Sequence, residues 1–162
     1  MLNGITRRQG TWGCYHPRNT VGITAIADAI RASSSLTAVN LLKNDFDVEV
    51  ATMLAQISRE KKITLCGIMA DQTEADFNNR ELGPADAILI AASLEFRGSL
   101  TECDLRKNNL GKEGWCAVFD ALRDSPQNTI AKWDLYNEGI DAEIVKSLAA
   151  YIAVSRSLSS IE

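Results

Sequence analysis

The chain has 162 residues, of which 46% are hydrophobic, and this is enough to bury the core of one ordinary domain. Its net charge of −4 argues against a general binder of nucleic acid or of an acidic membrane, because both need a basic surface on the protein. No stretch approaches the roughly 18 apolar residues of a membrane span, and the polar start at Met1 is not typical of a signal peptide.

The predicted elements begin at residue 19. Residues 1–18 show little periodicity and contain glycine and proline, which favour turns, so we expect an irregular segment there. Farther along the chain, apolar residues spaced i, i+3, i+4, i+7 predict five amphipathic helices. Their apolar stripes cover residues 23–30, 50–57, 87–94, 115–122 and 145–152.

Short alternating apolar patterns lie between these helices and after the last one, and they predict strands with one buried face. The predicted strands begin at Leu36, Ile63, Leu100, Ile130 and Leu158. Their pitch is 27 to 30 residues apart from one longer step, and a fixed period in this range is typical of stacked supersecondary units. The extra residues of the longer step predict a loop over 71–81, just after the strand that begins at Ile63.

The clearest unit is Leu100-x-x-Cys103-x-Leu105-x-x-Asn108-x-Leu110-Gly111, which resembles a leucine-rich repeat. Units of about 28 residues that include a full helix resemble the ribonuclease-inhibitor-like class of that family. The resemblance implies an α/β fold, namely a right-handed solenoid forming a segment of a horseshoe, with parallel strands on the concave face and helices on the convex face. It covers 19–162, as a partial first repeat, four recognisable repeats and the start of another strand.

The pattern departs from the family at the turn after each strand and at the ends. The asparagine that closes this turn is present as Asn44 and Asn108, but Asp71 and Glu138 occupy the corresponding places in the other two full repeats. Leu158 and Ile161 begin a strand that no repeat follows in this sequence. We therefore expect exposed solenoid ends and possible self-association through them.

Strand positions between the buried columns are predicted to point to solvent on the concave face, where this fold places binding. They form an apolar half and a charged half, and the candidate partner-binding residues are Leu42, Leu65, Met69, Glu102, Asp104, Arg106, Lys132, Asp134 and Tyr136. The apolar half is either an exposed interaction patch or is covered by the 71–81 loop through Phe77. The charged half is either a solvated cluster that contributes little to stability or a platform for a protein partner.

Catalytic and metal-binding patterns are scarce. His16 is the only histidine, so neither a catalytic triad nor a multi-histidine metal site is predicted. The acidic run of Asp45, Asp47 and Glu49 resembles the start of a calcium loop but lacks the glycine and the distal glutamate of an EF-hand. We interpret it as the polar start of a helix, where acidic side chains suit the helix dipole. No cofactor and no metal are predicted.

The sequence favours a non-enzymatic module that binds a protein partner through the concave face and the 71–81 loop. A cytoplasmic location is expected, because the four cysteines form no CxxC pair and no N-glycosylation sequon is present. Two alternatives stay open. The family resemblance also implies a GTPase-activating protein of the Ran type, although Arg7 and Arg8 align with no motif, and the chain could be a structural spacer in a larger assembly.

Overall fold

The computed structural model describes residues 20–162, in which five α-helices are combined with four short strands. The predicted irregular segment at 1–18 lies outside the described residues. In chain order the elements are α1 Thr20–Ala32, α2 Val48–Lys61, β1 Glu74–Asp76, α3 Pro84–Leu94, β2 Glu102–Asp104, α4 Gly111–Arg123, β3 Lys132–Trp133, α5 Ala142–Val154 and β4 Ser160–Ile161. The α/β class and the five predicted helices are confirmed.

Aspartate caps start two of the helices. The Asp47 side chain accepts a hydrogen bond from the Val50 amide at 2.7 Å, which satisfies one of the free N–H groups of the first turn of α2. Asp141 does the same for α5 through the amides of Glu143 and Ile144. The acidic run before residue 50 is therefore the start of a helix, as predicted.

The four strands form one parallel sheet in the order β1-β2-β3-β4. Ala75 lies opposite Cys103, and Trp133 lies opposite Ile161. Successive strands are therefore direct neighbours, and each crossover between them contains one helix. Each helix in turn packs against the helix before it and the helix after it in the chain, and the described part shows no contact between more distant helices.

The predicted loop over 71–81 is wrong, because this segment contains β1. Phe77 is only 4% exposed, and it packs in the core with Ala75 and Leu82. Counted from Gln72, these three residues occupy the places that Cys103, Leu105 and Leu110 occupy counted from Leu100. The extra residues of the long repeat are instead those before β1, between the end of α2 and Gln72.

Backbone conformation supports this register. Lys43, Asn79, Lys107 and Asn137 all have φ between 53° and 61°, in the left-handed region. Each is the eighth residue of a unit counted from Leu36, Gln72, Leu100 or Ile130. The same sharp turn thus follows four strand positions, and Gln72, not Ile63, marks the second unit.

A row of hydroxyl groups joins successive units. Ser99, Thr129 and Ser157 each lie immediately before a predicted strand pattern, and each hydroxyl lies 2.8–3.2 Å from two backbone carbonyl oxygens of the preceding unit. Because these hydrogen bonds join neighbouring units and four of the six are half-buried, the three side chains stabilise the stacking at the amino-terminal edge of the sheet.

Apolar side chains between the sheet and the helices form two clusters. The larger contains an aromatic group in which the Trp133 ring stands edge-on to Trp115 and Phe119, while Tyr151 stacks on Phe119. Such edge-to-face pairs stabilise beyond the area that they bury. Within residues 20–162, no helix combines the length and the apolar character that crossing a membrane requires.

Candidate functional site

One face of the sheet is buried against the helices, and the other carries polar side chains. The inward residues Ala75, Cys103 and Trp133 are buried, whereas the residues that alternate with them are exposed or half-buried. We call the second set, with its continuation beyond the strands, the outward face. Its charged and aromatic members are Glu74, Asp76, Glu102, Asp104, Arg106, Lys132, Asp134, Tyr136 and Glu162.

Arg106 binds two aspartates of this face at once. Its Nη2 and Nε lie 2.7 and 3.0 Å from the two carboxylate oxygens of Asp104, and its Nη1 lies 2.7 Å from Asp134 Oδ2. This is the compensation by a neighbouring cation that two adjacent aspartates require. The Arg106 hydrogen bonds lower the pKa of Asp104 to about 2. The pKa of Asp134 is lowered first by the Tyr136 amide and then by Arg106.

Lys132 lies opposite Glu102 in the sheet register, yet its ammonium binds another carboxylate. Lys132 Nζ lies 2.7 Å from Glu162 Oε1, and this hydrogen bond is the main reason that the pKa of Lys132 is raised. Glu162 was not among the sequence-predicted site residues, because it lies beyond the last apolar position of the final strand pattern.

The face also contains two acidic residues of β1, Glu74 and Asp76, which the loop prediction over 71–81 excludes. Glu74 lies opposite Glu102, and Asp76 lies opposite Asp104. The signal was present, because Glu74-Ala75-Asp76 repeats the pattern of Glu102-Cys103-Asp104.

A shallow depression of about 160 Å³ lies between β2 and β3 on this face. Tyr136 lies two residues after Asp134, which lines the depression, and its side chain is 82% exposed. The Tyr136 amide donates a hydrogen bond to Asp134 Oδ1. The residues that line the depression are Glu102, Cys103, Asp104, Arg106, Lys132 and Asp134. The charged half of the predicted binding face is thus brought together in one place.

The predicted apolar half is not formed as expected. Leu65 is fully buried, at 0% exposure, and packs in the smaller apolar cluster, so its placement on the exposed face is wrong. The cause is that residues 62–71 do not form a strand of the main sheet, and only isolated bridges join Thr64 and Cys66 to the segment before α2. Leu42 is half-buried, and Met69 is 53% exposed.

His16, Arg7 and Arg8 lie outside the described residues. In the part of the chain that the structure describes, no three histidine, cysteine or acidic side chains are arranged to hold a metal ion.

No protein-family model matches the chain, and no curated protein is significantly similar to it in sequence.

Proposed function

We propose that the chain is a leucine-rich-repeat-type α/β solenoid of the ribonuclease-inhibitor-like class. Three observations support the architecture: the parallel strands follow chain order, each helix contacts only its sequence neighbours, and the same left-handed turn recurs in four units. Contacts limited to neighbouring units are what a stack of repeats produces. In this proposal the outward face is the concave side.

The turn asparagine supports the same architecture. Asn108 Nδ2 donates to the carbonyls of Phe77, Leu105 and Arg106 at 2.8–3.2 Å, and its Oδ1 accepts from the amides of Arg80 and Leu82 at 3.1 Å. One side chain therefore joins two successive units. Glu138 has a related role one unit later, since its Oε1 accepts from the Lys107 amide at 2.8 Å. The second unit has Arg80 in this place, so the prediction of Asp71 at this position is wrong.

We further propose that the outward face binds a protein partner and that the chain is not an enzyme. The observation that carries this proposal is Tyr136, a large aromatic side chain that is 82% exposed and follows β3 at the place that Arg106 occupies after β2. Tyrosine and arginine are enriched among residues that dominate protein interfaces. Because Arg106 is already held by three charge-assisted bonds, little of its conformational entropy remains to be lost on binding.

We place the module in the cytoplasm. The cysteines of the described part, Cys66, Cys103 and Cys116, are all free thiols, and two of them are buried as small apolar groups. Free thiols in the core are the usual state in a reducing compartment.

A site-specific photo-crosslinker tests the proposed binding face. With benzoylphenylalanine at position 136, we expect discrete cross-linked products from an extract of the source cells. The matched control places it at Val145, which is 48% exposed on α5, and should give none of these products. Equal cross-linking at both positions, or none at 136, would contradict the proposal and favour a structural spacer.

A further inference from the structure

We infer that the partner presents a lysine- or arginine-rich segment to the part of the outward face formed by β1 and β2. This inference rests on the proposed protein-binding function and specifies the chemistry of the partner. Charge complementarity is the argument. The outward face carries six carboxylates and two cationic side chains, so it is strongly negative as a whole.

Both cations of the face are already engaged. Arg106 binds Asp104 and Asp134, and Lys132 binds Glu162, in each case at 2.7 Å. The structure shows no cationic side chain of residues 20–162 within ion-pair distance of the remaining three carboxylates. These are Glu74, Asp76 and Glu102.

The sheet register makes this arrangement unfavourable in the free protein. Glu74 lies opposite Glu102, and Asp76 lies opposite Asp104, on strands about 4.8 Å apart. Like charges directly opposite each other on neighbouring strands are destabilising. Arg106 offsets this effect for Asp76 and Asp104 because it binds Asp104, so the repulsion that remains is that between Glu74 and Glu102. Lys132 lies on the other side of Glu102 in the register, but it is turned toward Glu162. A cation supplied by a partner would relieve repulsion that the chain itself offsets only in part.

The depression of about 160 Å³ between β2 and β3 lies beside Glu102, but it is also lined by Arg106 and Lys132, which would repel a cationic head group. The inferred contact therefore lies on the β1 side of Glu102, where Glu74 is its neighbour in the register. Nucleic acid is disfavoured on this surface, because its phosphates would meet the unpaired carboxylates.

A labelled peptide of eight residues, alternating lysine and glycine, serves as the probe, and its binding is followed by fluorescence polarisation at low and moderate salt. We expect the double variant Glu74→Gln/Glu102→Gln to weaken binding about tenfold, since two carboxylates of the site are lost. The control is Glu49→Gln/Glu60→Gln, which removes the same charge from exposed positions of α2 and should change affinity less than about twofold. Circular dichroism confirms that both proteins are folded.

Two outcomes would overturn the inference. The first is an equal loss of affinity in both double variants, which would mean attraction by net charge alone. The second is that the basic peptide fails to bind, while a peptide selected from a displayed random library binds in a Tyr136-dependent way and is neutral or acidic. This second outcome would leave the outward face as a binding surface. Failure of the cross-linking at position 136 would instead remove the proposed function itself.

Discussion

Among the polar residues of the turns, Asn108 should be the one whose replacement by alanine destabilises the fold most. The change removes five hydrogen bonds, of which three reach the preceding unit and two close the turn after β2 itself. Four of these involve half-buried groups, so the freed carbonyls and amides regain only part of their hydrogen bonding from water. At about 1 kcal/mol for each group that is left poorly hydrated, we expect a loss of about 2–4 kcal/mol.

Asn44→Ala is the matched control. Asn44 occupies the same place in the first unit, but its Nδ2 bonds only the carbonyls of Leu41 and Leu42, and the second of these bonds is solvent-exposed. The expected loss is about 1 kcal/mol or less. Urea denaturation followed by circular dichroism measures both variants, and the slope of the transition shows whether unfolding remains cooperative.

Asn108→Asp separates the two roles of the side chain. The carboxylate can still accept from the amides of Arg80 and Leu82, but it would face three carbonyl oxygens where an amide donor had been. We expect a loss at neutral pH at least as large as that of Asn108→Ala, with partial recovery in acid, where the protonated carboxyl donates again. If Asn108→Ala costs no more than Asn44→Ala, the reasoning about the joined units is refuted.

Three further changes test the core, the charged face and the buried thiols. Phe77→Ala should lower the free energy of unfolding, measured in urea, by about 3–5 kcal/mol, because it opens a cavity beside β1. An unchanged free energy of unfolding would contradict the core position of Phe77. Arg106→Gln should raise the pKa of Asp104 from about 2 toward about 4. Asp104 stabilises the fold above pH 4 and loses this contribution as pH falls toward 2, so the variant should lose less stability over that range. An NMR titration measures the pKa of Asp104, and acid unfolding measures the loss of stability. In a Cys14→Ser background, a thiol reagent should modify Cys116 first, since burial raises the pKa of the other two described thiols, and simultaneous modification of all three would contradict their placement.

The sequence predicted the helices and the charged half of the face because both depend on local patterns. The helical stripes are long and strongly periodic, and all five lie within the described helices. Arg106, Asp104 and Asp134 could be predicted as neighbours because equivalent positions of adjacent parallel strands lie side by side. The pairing of Lys132 with Glu162 could not, since two carboxylates competed for one ammonium and only the side-chain geometry decides between them.

The error at 63–81 has a physical explanation in the choice between two strand patterns. Ile63-x-x-Cys66-x-Ile68 is the more apolar one, so burial alone selects it, and its apolar residues are indeed buried. Gln72-x-x-Ala75-x-Phe77 is less apolar but is followed by Asn79, a residue that tolerates the left-handed turn at little cost.

Backbone hydrogen bonding decides between these patterns, because a strand joins the sheet only where its amides and carbonyls find partners on the neighbouring strand. The Phe77 amide donates to the Asp104 carbonyl at 2.8 Å, and the Thr101 amide donates to the Thr73 carbonyl at 2.8 Å. The amides of Thr64 and Gly67 are instead directed to the segment before α2, and that of Leu65 is directed to Ser93 of α3. Apolar columns identify which side chains are buried, whereas polar residues that shape the turns and satisfy the backbone determine which segment becomes the strand. That distinction places Glu74 and Asp76 on the outward face, and with them the unpaired charge on which the inferred basic partner depends.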